Sequence, residues 1–198
     1  MYTPKAFACE DLEALHGLME AYPFAILITS DGAVSHIPLL LLPTEDGEPG
    51  TLFGHVARPN PQAESLRTLS YATAVFSGPH GYISPCWYET ALAVPTWNYA
   101  AVHVHGSVRI IEGDDFLARL GQLLDRYEPE GWQERMPADY LRKQLPGIVG
   151  FELTIERLEG KLKLSQNKPQ ADILGAIAGL EAEGNTELVT LMREANAA

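Results

Sequence analysis

Three groups of residues in this chain have the types and spacing to do chemistry. The first is Arg58-Pro59-Asn60-Pro61-Gln62. Among residues 1–108 the basic side chains are Lys5, Arg58 and Arg67, against ten acids. An arginine in so acidic a stretch, placed just before a helix start, offers a site for one phosphate group. Its guanidinium can grip two oxygens, and a helix N-terminus adds free N–H groups and the positive end of the dipole. Asn60 suits the N-cap and Pro61 the first helical position. The same spacing also describes an ordinary capped helix whose arginine pairs with a nearby acid.

The second group is Arg157, Lys161, Lys163 and Lys168, interrupted by the single acid Glu159 and joined by Ser165, Gln166 and Asn167. It reads either as a loop that recognises a polar ligand edge or as a solvated strand end. The third is aromatic: His80, Tyr82, Trp87, Tyr88, Trp97 and Tyr99 fall within twenty residues. Such a set fills a core or an interface, or lies against a flat cofactor. His103 and His105 share one side of a strand, a spacing that can chelate a metal. The third ligand would have to be recruited from Glu89 or His80 by folding, so no metal site is expected. No Gly-x-Ser-x-Gly occurs and Cys86 has no partner base in sequence, so nucleophilic catalysis is not expected.

Charge narrows the partners. The chain carries 26 acids against 14 lysines and arginines, a formal net charge of −12. Non-specific nucleic-acid binding comes from neutralising phosphates, so a generic DNA or RNA binder is disfavoured. Two cysteines, Cys9 and Cys86, without metal-like spacing exclude a disulfide framework and a zinc ribbon. The first residues lack the pattern of a signal peptide. The most apolar short run, Ile37 to Pro43, is far below the ~20 residues that span a bilayer. A soluble, cytoplasmic protein without membrane partners is expected.

The elements that must position these groups follow from periodicity and breakers. Residues 10–21 place Leu12, Leu15, Leu18 and Met19 on one helical stripe that Pro23 ends. Phe24 to Thr29 and Val34 to Leu42 form a hairpin about Asp31-Gly32. Thr44 to Gly50 is an acidic turn, Thr51 to Val56 a strand, and a short helix follows Asn60. Ala72 to Phe76 is a strand, and the segment from Gly78 to Pro95 is too irregular to be one element. Trp97 to Ile111 is a long strand in which Val102 and Val104 alternate with His103 and His105. Asp114 opens a helix to about Tyr127, residues 129–137 form a loop, and Ala138 to Leu145 is a short helix. Ile148 to Leu158 is a strand, and Gln170 to Leu180 and Thr186 to Ala195 are helices. Six or seven strands in hairpin order with sporadic helices indicate one domain, a β-barrel with peripheral helices. No dinucleotide or P-loop glycine motif occurs.

The segments MYTPKAF, HIPLLL, GHVARPNPQ, GPHGYISPCWYE, VPTWNYAAVHVHG, GIVGFEL and KLSQNK, in this order over nearly the whole chain, resemble the PaiB family of FMN-binding negative transcriptional regulators. The family is similar to the flavin-binding split barrels related to pyridoxamine phosphate oxidases. The resemblance implies a mainly β fold with peripheral helices: a six-stranded antiparallel split barrel over residues 1–198 with a C-terminal helical extension. It also implies a homodimer and FMN in a cleft at the dimer interface. His55, Val56, Ala57 and Arg58, with Asn60 and Gln62 in the run that follows, match the segment that holds the FMN phosphate. His36, Ile37, Pro38 and Leu39 match the strand whose backbone meets the flavin ring. Trp97, Asn98 and Tyr99 lead into the strand lining the cleft, and Gln166, Asn167 and Lys168 match the C-terminal ligand loop.

Two departures separate the chain from the oxidases. Pro59 stands where they carry a basic residue after the phosphate arginine, and Ala100 and Ala101 replace polar residues on the long strand. Regulation through flavin and a protein partner or metabolite is therefore the leading expectation. A flavin-dependent oxidoreductase acting on a small molecule, with His36, His80 or Tyr82 as proton donor, is the alternative, and a haem-binding split barrel is a third reading.

The charge, together with the absence of a helix-turn-helix pattern from the sequence, whose helices flank strands, generates a first prediction. The purified protein should show no specific, salt-resistant affinity for duplex DNA of its own promoter. Fluorescence anisotropy at physiological salt checks this, and a dissociation constant of ~10⁻⁸ M or tighter would contradict it.

Overall fold

The computed structural model describes every residue except Glu45, Asp46, Met136 and Ala198. Part of the acidic turn expected over Thr44 to Gly50 therefore lies outside the described residues. In chain order the elements are β1 (Ala8–Cys9), α1 (Leu12–Ala21), β2 (Phe24–Thr29), β3 (Val34–Pro38), β4 (Leu40–Leu42), β5 (Thr51–Ala57) and α2 (Gln62–Leu69). They continue with β6 (Tyr71–Ile83), β7 (Thr96–Ile111), α3 (Gly113–Tyr127), α4 (Trp132–Arg135), α5 (Ala138–Gln144), β8 (Ile148–Lys163), α6 (Gln170–Ala182) and α7 (Thr186–Ala195). Among the described residues no helix is long and apolar enough to cross a membrane.

The strands form one sheet in the order β3-β2-β6-β7-β8-β5-β4, with β1 paired to β8. The sheet has eight strands rather than six, and this path ends at β3 and β4 instead of closing. Part of the difference lies at Leu39. The expected single strand Val34 to Leu42 divides there, because β3 pairs with β2 while β4 pairs with β5. The Leu39 side chain is buried and its N–H donates to the Pro23 carbonyl at 2.9 Å. The chain thus changes partner at a residue anchored in the core. The expected loop 129–137 contains the single turn of α4.

The expected break after Phe76 does not occur, and β6 continues to Ile83. Gly78 and Gly81 within this strand serve close packing. A Cβ on Gly81 would lie 2.8 Å from the Asn185 amide nitrogen and 2.9 Å from Leu188.

The chain divides into two compact units. One comprises Met1–Ala21, Ser77–His103 and Glu159–Ala198. Its core joins Ile83 and Leu164 to the inner faces of α6 and α7, through Ile173, Ile177, Leu180, Leu188 and Met192. The other comprises Tyr22–Phe76 and Val104–Leu158. Its cluster of Leu40, Phe53, Ile111, Phe116 and Leu123 packs α3 on the sheet. Gly106 is obligatory here, since a Cβ would fall 1.7 Å from the Thr154 carbonyl oxygen. The carboxylate of Glu152, 4% exposed, accepts from both Arg109 and Arg119, so this buried acid of β8 is answered by two guanidiniums.

The β2–β3 hairpin turns at Asp31-Gly32 as its sequence requires, with Gly32 at φ +83°. Asp31 also ties the turn to α2. Its carboxylate accepts from the Thr29 hydroxyl at 2.7 Å, the Ala33 N–H at 3.2 Å and the Ser65 hydroxyl at 2.6 Å. These bonds, that of Ser65 foremost, lower its pKa from 3.8 to about 2. The folded pKa lies below the unfolded one. The stabilisation is therefore complete above the unfolded value and is lost as pH falls through the folded value. The stability gap between the wild type and Asp31→Asn should accordingly be constant from neutral pH down to the unfolded pKa. Below it the gap should narrow as the pH approaches 2. Urea midpoints measured across that range check this, and a gap that does not change with pH would contradict it.

Candidate functional site

The phosphate-type segment begins where β5 ends. Arg58 is held by three successive carbonyls of the turn entering β8. Its backbone N–H donates to Gly147 at 2.8 Å, its Nη2 donates to Ile148 at 3.0 Å and its Nε donates to Pro146. No acid pairs with it among the described residues. Asn60 performs the capping that its type predicts. Its Oδ1 accepts from the Gln62 N–H at 3.0 Å and its carbonyl accepts from the Ala63 N–H at 2.9 Å. Its Nδ2 donates to the Ser35 hydroxyl on β3 at 2.9 Å.

Two depressions flank Arg58 within this unit. One opens at the start of α2 and is lined by Arg58, Asn60, Pro61, Glu64 and Arg67. The other, of about 380 Å³, lies between the end of β7, the first turns of α3 and the start of β8. Arg58 and Arg67 stand in its wall together with Arg142. Arg67 also faces Glu112 at 3.9 Å. Sequence reasoning missed Arg142, whose signal is the basic pair Arg142-Lys143 near the end of an acidic stretch.

Gln62 has a different place from that expected of a ligand residue. It is 1% exposed, and its Nε2 donates to the Ala33 carbonyl at 2.9 Å, the Leu27 carbonyl at 3.2 Å and the Thr29 hydroxyl at 3.4 Å. It joins α2 to the β2–β3 hairpin. Val56 is buried, Ala57 exposed and His55 half-buried. Burial lowers the His55 pKa, which favours the neutral ring. Its Nδ1 is buried and has no hydrogen-bond partner among the described residues. On β3, His36 is exposed with its ring 6.3 Å from that of Phe24, and Ile37 and Pro38 are half-buried. Leu39, just beyond, belongs to the core.

The remaining expected residues lie in the other unit. Trp97 is 54% exposed, its ring 6.4 Å from His80 and 6.1 Å from Tyr82. Asn98 is buried at 1% exposure, and its Nδ2 donates to the Ser165 hydroxyl at 2.8 Å. It is therefore a support for the turn at Ser165 rather than a free side chain. Gln166 folds back on its own strand, accepting from the Leu164 N–H at 2.8 Å and donating to the Leu162 carbonyl. Asn167 is exposed, and the Lys168 ammonium lies 5.1 Å from the Tyr88 ring centre.

Arg157 of the basic run is exposed, but the lysines are not a solvated strand end. Lys161 is 9% exposed, donates to the Tyr2 carbonyl at 3.0 Å and sits 5.3 Å from the Tyr99 ring centre. Lys163 donates to the Thr96 hydroxyl and the Trp97 carbonyl. Burial, then the charges of Lys161 and Lys168, lower its pKa. Asp172, which the sequence did not flag, accepts from the N–H groups of Glu89 and Thr90 at 3.0 and 3.1 Å and from the Thr90 hydroxyl at 2.6 Å. It fastens the irregular segment after β6 to α6.

A family model described as "Putative FMN-binding domain" matches residues 1–157. The chain belongs to this FMN-binding family. Its similarity extends to "Protease synthase and sporulation protein PAI 2" of Bacillus subtilis, 34% identical over 193 residues, covering 93% of this chain and 91% of that one. Two solved structures share the fold. The flavocytochrome Anf3 from Azotobacter vinelandii matches with TM-score 0.64 at 15% identity, covering 85% of this chain and 75% of its own. The FAD and heme binding protein from Mycobacterium smegmatis matches with TM-score 0.63 at 19% identity, covering 85% and 79%. The architecture is thus the antiparallel split-barrel type with helices.

The residues present fit the family's cofactor. Two guanidiniums beside a capped helix start suit a phosphate, and the orphaned buried Nδ1 of His55 is a polar atom in want of a partner.

The support role of Gln62 generates a prediction. Gln62→Ala removes the donor shared by three acceptors and should lower stability by about 1–3 kcal/mol, the cost of unsatisfied buried groups. Urea unfolding measures it, and an unchanged midpoint would contradict the assignment.

Proposed function

We propose that this protein holds FMN with its phosphate at the start of α2, gripped by Arg58 and Arg67 beside the positive end of that helix. The observation that carries this reading is the fixed guanidinium of Arg58. Its Nε and Nη2 are immobilised on backbone carbonyls, so the charge stands preorganised in the wall of a depression. Preorganised donors bind an anion without a further ordering cost. His55, Val56 and Ala57 form the strand end leading to that grip, with Gln62 as its support. His36, Ile37, Pro38 and Leu39 are proposed to offer backbone groups to the ring. Trp97, Tyr99, Asn167 and Lys168 are proposed as further ligand-facing positions, supported by Asn98 and Gln166.

FMN would supply redox chemistry when bound, and the chain itself supplies binding and orientation. The B. subtilis relative carries a name that refers to protease synthase and sporulation. For this chain we propose regulation in the cytoplasm by a homodimer, transmitted through flavin occupancy to a protein partner or metabolite. The net charge of −12 supports a route other than direct DNA contact.

Arg58→Ala should weaken FMN by about 1.5–3 kcal/mol, the range for hydrogen bonds to charged groups, and leave riboflavin almost unchanged. Fluorescence titration with both ligands checks this, with haemin as the competing cofactor in absorption spectra. Equal losses for FMN and riboflavin would contradict the phosphate assignment, and a haem band without flavin binding would replace the cofactor.

A further inference from the structure

Ser165 is a buried residue, 4% exposed, in the left-handed backbone region at φ +69°. A residue other than glycine keeps that conformation only where its surroundings over-determine it, and such positions gather at ligand clamps. Here the surroundings act from three directions. The Ser165 hydroxyl accepts from the buried Asn98 Nδ2 of β7 at 2.8 Å. The preceding carbonyl, that of Leu164, accepts from Asn196 Nδ2 at 3.1 Å. The Ser165 carbonyl accepts from the Lys168 N–H at 2.9 Å, which closes the turn. Asn196 stands at the C-terminal end of α7, and its Nδ2 also donates to the Met192 carbonyl at 2.7 Å. One amide thus ties the end of the helix to the turn. The start of α7 is fixed as well. Asn185 caps it, its Oδ1 accepting from the Leu188 N–H at 3.3 Å, and its Nδ2 donates to the His80 carbonyl of β6 at 3.0 Å.

The side chain of Lys168 is directed by the neighbouring helix. Its ammonium lies 5.1 Å from the Tyr88 ring centre, within the range of a cation–π contact. Tyr88 is itself fastened to α6 on both sides. After it, Asp172 accepts from the N–H groups of Glu89 and Thr90. Before it, Trp87 sits so close that a Cβ on Gly175 would lie 1.9 Å from its carbonyl oxygen and one on Gly179 2.2 Å from its ring. Both C-terminal helices therefore act on one lysine, α6 through the ring its ammonium faces and α7 through the turn that carries it. We propose that Asn196, with α7 behind it, is a positioning residue for Lys168, holding the Ser165 turn so that the ammonium is presented in one orientation to the ligand. The proposal rests on the reading of Lys168 as a ligand-facing position of the flavin site. The family match ends at residue 157 and reaches neither residue. An ammonium already oriented loses less freedom on binding than one that must be ordered.

The test is a double-mutant cycle on FMN affinity in the full chain, with Asn196→Ala, Lys168→Ala and the two combined, read by flavin fluorescence. Lys168→Ala should weaken FMN about ten-fold or more, the loss of a hydrogen bond to a charged group, and Asn196→Ala about three-fold or more, the loss of a neutral one. The combined variant should bind no more weakly than Lys168→Ala alone. A residue that acts through the ammonium has nothing to act on once the ammonium is gone. Hydrogen exchange reads the same positioning without flavin. In Asn196→Ala the Lys168 amide should exchange at least about three-fold faster while amides of the β5–β8 ladder keep their rates, which a general loss of stability would not allow. Losses that add in the cycle, unchanged FMN affinity in Asn196→Ala, or unchanged exchange at Lys168 would overturn the proposal. An effect of Arg58→Ala without one of Lys168→Ala would overturn it too and leave the flavin reading standing. A wild type that binds no FMN, with the faster exchange still seen in Asn196→Ala, would overturn the flavin reading and leave the positioning of Lys168 standing.

Discussion

The candidate site depends on how Arg58 is held. Its backbone N–H and two of its side-chain nitrogens meet Gly147, Pro146 and Ile148, so the end of β5 is locked to the entry of β8. The lock orients a charge that would otherwise sweep through solvent on a flexible stem. It also makes a wall that two depressions share. The ladder between β5 and β8, from Thr51 opposite Thr154 to Ala57 opposite Ile148, delivers the two segments in register. An error of one residue in that ladder would turn every side chain of β5 to the other face.

Around this lock the unit uses polar groups as internal struts. Gln62 holds α2 to the hairpin through three acceptors, and Asp31 holds the same hairpin through Ser65. Glu152 joins β7 and α3 through Arg109 and Arg119. Each strut joins residues distant in sequence, and at the buried groups, Gln62 and Glu152, removing the partners leaves a desolvated polar group. The start of α2 is consequently a rigid platform, which is what a small anion requires of its binding site.

The other unit treats charge differently. Lys161 lies against the Tyr99 ring and the Tyr2 carbonyl, and Lys163 against the Thr96 hydroxyl and the Trp97 carbonyl. Their ammonium groups remain near one another, and the resulting repulsion contributes to the lowered pKa of Lys163. Asp172 answers backbone N–H groups of the irregular segment, and Asn98 braces the left-handed turn at Ser165, φ +69°. Polar residues that resemble ligand groups in sequence thus divide into exposed ones, such as Asn167, and braces, such as Asn98 and Gln166.

By itself the sequence determined the antiparallel class, the hairpin at Asp31-Gly32, the alternation through Val102 to His105, the helices after Asp114, Gln170 and Thr186, and the family. These are local matters: periodicity, turn chemistry and motif order are written in neighbouring residues. The continuation of β6 past Gly78 was decided by tertiary structure, because its glycines make room for side chains of α1 and α7, and nothing near them in sequence states that. The division of the strand at Leu39, the burial of Gln62 and Asn98, and the arrival of Arg142 beside Arg58 have the same origin. Each depends on which distant backbone carbonyl or side chain completes the hydrogen bond or lines the space, and only the folded chain supplies that partner.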